Sequence, residues 1–176
     1  MSASALATGV PSLAGLLPAP GDSGPERLRG TAAAIAARPV HWAHLVRHDP
    51  DERGYALLHS DADVTVWLLF WSPGHDTGFH DHDTSSAAVA VASGALRDER
   101  LAVHGDPIVR GLQAGDVVTI EPSEIHRMHH AGGEPTVSVH VYSPPLRRTG
   151  AYAVADDGRL LRHAQAGEDA LEPATA

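Results

Sequence analysis

Residues 64–92 read VTVWLLFWSPGHDTGFHDHDTSSAAVAVA. A run rich in β-branched and aromatic residues meets a Ser-Pro-Gly turn, then an extended His-x-His stretch, a polar turn and an Ala/Val run, with no room for a helix between them. The same pattern continues outward. A run at 55–59 precedes it, and runs at 96–103, 108–112, 116–120, 125–129, 136–142 and 151–155 follow, divided by turn clusters such as SDAD, HGD, AGGEP and DDG. Roughly nine or ten short strands without intervening helices predict an all-β antiparallel sandwich or barrel and disfavour a parallel α/β sheet.

Upstream, residues 26–37 (ERLRGTAAAIAA) predict a helix, with Pro25 in its first turn, Glu26 at the positive end and Arg38-Pro39 as the stop. A second short helix is expected at 41–48. The expected organisation is a loose leader at 1–25, one domain at 26–165 with a last strand at 159–163, and a loose tail at 166–176.

The 176 residues contain no Cys, so disulfides, thiolate nucleophiles and Cys-ligated metals are excluded and any metal must be held by nitrogen or oxygen. The longest apolar run, at 64–71, is too short to cross a bilayer as a helix. The apolar first twenty residues lack a basic stretch ahead of them and are interrupted by prolines, which suggests a cytoplasmic protein. With 22 Asp+Glu against 13 Lys+Arg, the net charge of -9 argues against a nucleic-acid partner. Histidine, with 13 copies, is as frequent as all Lys and Arg together, which directs attention to metal binding or proton transfer.

In an extended chain, His80 and His82 share one face and Asp81 takes the other, so two imidazoles form half of a metal site. A His-x-His pair also arises by chance in a His-rich chain. Some forty residues on, Gly115 to Ile120, Glu121-Pro122 and His126 supply a strand, a Pro turn and another His. Farther along, Ser138, His140 and Tyr142 alternate on one strand and share a face; taken alone, they could be polar residues satisfying one another inside a barrel.

The two His motifs resemble those of the cupin superfamily, which implies a jelly-roll β-barrel with a short N-terminal helical region. The usual cupin acid would fall near Ala87, leaving three neutral imidazoles and no carboxylate. Together with Trp71, Pro73 and Gly74, the segment SVHVYSPP at 138–145 resembles the cysteine dioxygenase family of cupin thiol dioxygenases over residues 55–152. The resemblance implies Fe(II) held by His80, His82 and His126, a Ser138–His140–Tyr142 relay beside it, and a cis peptide at Ser143–Pro144. The implied reaction adds both atoms of O2 to the sulfur of a small thiol, giving a sulfinic acid. The implied partners are that thiol and O2 alone, with neither nucleic acid nor membrane, in a monomer or weak dimer.

Three departures stand out. Ala87 occupies the place of a Cys that crosslinks to the active-site Tyr in mammalian-type members, so no crosslink can form. Tyr55 occupies the place of the carboxylate-binding Arg; Arg53, two residues earlier, is a candidate replacement against the plainer reading of a surface Arg. Tyr55, Arg53 and Trp71 are therefore the expected substrate-binding residues. Finally, Asp83-Thr84-Ser85-Ser86 replaces a Gly-rich turn, with Asp83 read as a turn residue capping its own backbone rather than a metal ligand. A register shift would let His129 compete with His126, His75 could line the entrance, and His41, His44, His48, His59, His104 and His163 are expected to be solvated. Two other functions fit the same residues: a cupin oxygenase acting on a non-thiol metabolite, and a non-catalytic cupin that binds a metal or small ligand.

Overall fold

The computed structural model describes residues 12–21, 24–102 and 104–166. A helix, α1 (Pro25–Ala36), leads through two short 3-10 turns, Pro39–His41 and Ala43–Leu45, into eleven strands. The turns replace the expected helix at 41–48. The strands are β1 (Gly54–Ser60), β2 (Thr65–Trp71), β3 (His80–Asp81), β4 (Ser86–Ser93), β5 (Ala95–Arg100), β6 (Ile108–Gln113), β7 (Val117–Ile120), β8 (His126–His130), β9 (Thr136–Ser143), β10 (Arg148–Val154) and β11 (Leu160–Ala166). They form a five-stranded sheet, β1-β2-β9-β4-β7, and a six-stranded sheet, β11-β10-β3-β8-β5-β6, with every pairing between named strands antiparallel. This is the cupin double-stranded β-helix with one N-terminal helix.

The first sheet is apolar on both faces because both are covered. Val66, Leu68 and Phe70 of β2 join Val137, Val139 and Val141 of β9 and Leu28, Ala32 and Ile35 of α1 in one core cluster. The alternate residues, Trp67, Leu69, Trp71, Val89 and Tyr142, belong to a second cluster between the sheets with Leu96, Leu112 and Met128. Two-sided burial explains why β2 lacks the polar alternation of a half-exposed strand.

The expected leader is partly core: Leu13, 4% exposed, packs in the cluster that holds α1. Burial of its apolar side chain offsets part of the entropy lost in ordering the segment. The remaining leader expectation at 1–11 and the tail expectation at 167–176 lie outside the described residues. The last strand runs to Ala166, beyond the expected 163, because it pairs along the whole of β10. The Ser143–Pro144 peptide is cis.

Candidate metal centre

β3 is only two residues long, yet its position decides the site. It lies between β10 and β8, with His80 opposite both Ala151 and His126. His82 follows immediately, where the chain turns through Asp83 at φ +55°. His80, His82 and His126 each offer a ring nitrogen, these atoms all lie within 4.8 Å of one another, and no other such group of three or more occurs among the described residues. His82 and His126 are 2% and 1% exposed, and their Nε2 atoms face each other at 3.3 Å.

Two of the three rings are held in the tautomer a metal needs. His126 Nδ1 lies 3.0 Å from Asp98 Oδ1, and His80 Nδ1 lies 3.0 Å from the Gly78 carbonyl. Both partners are acceptors, so each Nδ1 carries the proton and each Nε2 presents its lone pair inward. Burial, together with the neighbouring imidazoles in the case of His82 and His126, pushes the proton affinity of all three rings below that of an ordinary histidine. Three converging neutral donors, two of them oriented by outer hydrogen bonds, fit a divalent cation of the imidazole-preferring kind. Asp98, which is 1% exposed and also bonded to Arg100 Nε at 3.0 Å, was not singled out in the sequence. Its signal was an acid two residues after Leu96 in a β-type run, an inward position where a carboxylate needs a reason.

The opposite wall comes from β9. The Trp71 indole N–H donates to Ser138 Oγ at 2.8 Å, Ser138 Oγ lies 2.8 Å from His140 Nε2, and His140 Nδ1 lies 3.2 Å from the Tyr142 hydroxyl. Trp71 can only donate, and His140, whose proton affinity burial lowers to a pKa of about 3, is neutral. The arrangement that satisfies every atom runs one way: Trp71 to Ser138, Ser138 to His140, His140 to Tyr142. That leaves the Tyr142 O–H directed onward, and the phenol is kept protonated by burial. Tyr142 stands edge-on to His82 at 5.1 Å between centroids, so the two walls meet. Ala87 pairs with Tyr142 across β4 and β9 and offers only a methyl there.

Arg53 departs from the surface reading. It is 8% exposed, its guanidinium carbon lies 5.1 Å over the Trp71 ring, and Nη1 donates to the Asp76 carbonyl at 3.0 Å. It lines a narrow cavity together with His80, His82, His140 and Tyr142. The aromatic face and the approach of residues 75–77 draw a side chain just before β1 inward. Neither of the other expected substrate contacts lines that cavity. Trp71 is fully buried beneath Arg53, and Tyr55 packs edge-on against Trp67 at 5.7 Å.

The remaining histidines sort by strand parity. His129 takes the face opposite to His126 and contacts Glu99 at 2.9 Å, which removes it as a competing ligand. His75 is buried rather than at an entrance, its Nδ1 accepting the Ser72 N–H at 3.0 Å, and His41 is buried rather than solvated. Asp83 pairs with Arg148 at 3.0 Å, and its own amide is capped by Asp81 at 2.8 Å.

Comparison with known proteins agrees with this geometry. The family model for cysteine dioxygenase type I matches residues 26–155. The cysteine dioxygenases type 1 of Rattus norvegicus and Homo sapiens are 25% and 26% identical to this chain over an alignment of 131 residues that covers 69% of this chain and 66% of theirs. The chain thus spans just under two thirds of the length of these curated relatives. Among solved structures, a conserved protein with a double-stranded β-helix domain from Klebsiella pneumoniae aligns with a TM-score of 0.52 and 26% identity, covering 58% of this chain and 80% of that one. A cupin superfamily protein from Desulfitobacterium hafniense aligns with a TM-score of 0.50 and 15% identity, over 60% of this chain and 90% of that one, a likeness of fold alone. With the match extending from the helix through β10 and taking in both walls of the cavity, the chain belongs to the cysteine dioxygenase type I family.

Proposed function

We propose that the chain is an Fe(II)-dependent thiol dioxygenase, converting a small thiol RSH and O2 into the sulfinic acid RSO2H. The observation that carries this reading is the convergence of three neutral imidazoles against a one-directional relay ending at Tyr142. Held by His80, His82 and His126, iron would supply affinity for a thiolate and the activation of O2; three neutral ligands leave its full +2 charge to attract an anion.

The chain's own residues bind, orient and exclude water. Arg53, in the same cavity, holds the carboxylate of the substrate, a role for which its fixed charge and planar fork are suited. Trp71 acts from beneath, supporting Arg53 with its ring and fixing Ser138 with its N–H. His140 receives its proton arrangement from Ser138 and passes orientation to Tyr142, whose hydroxyl donates to the reacting end of the substrate. Leu69, Met128 and Leu146 provide the apolar lining that keeps the reacting sulfur away from bulk water. We place the protein in the cytoplasm, acting without nucleic acid or membrane.

The test is oxygen consumption by anaerobically Fe(II)-loaded protein given cysteine, 3-mercaptopropionate, cysteamine or mercaptosuccinate. Uptake with a carboxylate-bearing thiol, matched by its sulfinate, is expected. Silence across the panel with iron bound would contradict the proposal.

A further inference from the structure

On the outer face of the second sheet, an ion pair ties the C-terminal strand to the strand carrying the His-x-His pair. Asp81, between His80 and His82, points away from them. Arg162 Nε and Nη2 donate to its two oxygens at 2.7 and 2.9 Å. The Tyr152 hydroxyl at 2.6 Å and the backbone amides of Gly150 and Asp83 at 3.1 and 2.8 Å complete its hydrogen bonds.

To reach Asp81, the guanidinium crosses β10 directly over Gly150, where a Cβ would lie 2.2 Å from Arg162 Nε and 2.5 Å from Cζ. Glycine at this mid-strand position is therefore the seat of the ion pair.

Strand pairing carries the consequence to the other face. Thr149 lies opposite Gln165, and Tyr152 opposite Arg162. Arg162 thus faces outward while Gln165 faces inward, and both Thr149 and Gln165 line the cavity that holds His80, His82 and Arg53. A one-residue slip of β11 would turn Gln165 out to solvent. β11 is an edge strand with Leu160 and Leu161 exposed, so apolar burial does little to fix its register.

We propose that the Asp81–Arg162 pair, seated over Gly150, is the register latch of the C-terminal strand, and that the latched strand presents Gln165 as a specificity residue for a hydrogen-bonding substituent of the substrate other than its thiol and carboxylate. The substrate half rests on the thiol dioxygenase reading. Arg53 offers a fixed charge, whereas Gln165 offers a neutral amide whose Oε1 accepts from the Thr149 hydroxyl at 3.5 Å and keeps a second lone pair, with its N–H donors beside it. A thiol bearing both a carboxylate and an amine engages both residues; one lacking the amine engages Arg53 alone.

The test compares cysteine with 3-mercaptopropionate, which differ by the amine, in the native chain, Gln165→Leu, Arg162→Met, the double variant and Gly150→Ala. Anaerobic binding to the Fe(II)-loaded protein and the KM and kcat for each thiol are measured, with amide hydrogen exchange across residues 160–166. The native chain is expected to prefer cysteine. Gln165→Leu should weaken cysteine about tenfold, the worth of one hydrogen bond, while leaving 3-mercaptopropionate unchanged. Arg162→Met should show the same selective loss, and the double variant should be no worse than Gln165→Leu.

Exchange in β11 should accelerate in Arg162→Met and in Gly150→Ala, which removes the seat without touching either charge, but not in Gln165→Leu. Equal losses for both thiols, or none for either, would overturn the role of Gln165. Unchanged β11 exchange in Arg162→Met would overturn the latch. A native chain that oxygenates neither of these two thiols would overturn the substrate half, silence across the full four-thiol panel would overturn the dioxygenase reading as well, and the exchange data would still decide the latch.

Discussion

β9 and β3 carry chemistry into one cavity from opposite sheets, and they are positioned by different means. β9 is eight residues long, buried on both faces and paired along its length with β2 and β4. Its Ser138, His140 and Tyr142 are aligned by strand periodicity alone, and Trp71, on the neighbouring strand β2, sets the direction of their hydrogen bonds. β3 is two residues long, pairs with His126 on one side and Gly150 and Ala151 on the other, and is fastened from behind through Asp81. A long, doubly covered strand needs no outside help to aim its side chains; a two-residue strand must be held by its neighbours.

Acid should stress both walls most strongly. His80, His82, His126 and His140 are all kept neutral by burial, so below their ordinary pKa of 6.5 the unfolded chain takes up protons that the folded chain refuses. Depressed folded-state values mean that stability is full above about pH 7 and falls as pH drops below 6.5, by up to about 1.4 kcal/mol per pH unit for each such group. Denaturant midpoints of the metal-free protein should be flat from pH 8 to 7 and fall steeply by pH 5.5.

Substitution then separates the walls. His82→Ala should abolish stable metal binding, measured as metal content after gel filtration, because two imidazoles remain where three converge. Asp98→Ala leaves all three ligands but frees the His126 ring, and metal affinity should fall about 10- to 100-fold by competition with a chelator. Tyr142→Phe, on the other wall, should slow turnover about tenfold while leaving metal content at the native level. Loss of metal in Tyr142→Phe would erase the distinction between the walls.

The same distinction governs what could be read in the sequence. The barrel, the His80–His82 pair and the shared face of Ser138, His140 and Tyr142 were legible because each depends on period-two alternation or on turn residues within one segment, whereas His126, 44 residues beyond His82, was joined to the pair only by the family resemblance. Asp98 was not, because its partner His126 is 28 residues away in the chain and only the β5–β8 register unites them. Arg53 was left between a substrate-binding and a surface reading because nothing local shows that Trp71, eighteen residues on, lies beneath it. Arg162, in the expected last strand, and Gln165, just beyond it, were not singled out for the same reason: the contact with Asp81 spans 81 residues. Even Gly150, outwardly a routine strand glycine, has its meaning only once Arg162 lies across it.

Product labelling tests the central claim most directly. Fe(II)-loaded protein turning over its thiol under 18O2 in ordinary water should yield a sulfinate with both oxygens labelled, at one O2 consumed per product. Disulfide with hydrogen peroxide, or a sulfinate carrying oxygen from water, would contradict a dioxygenase built on His80, His82 and His126.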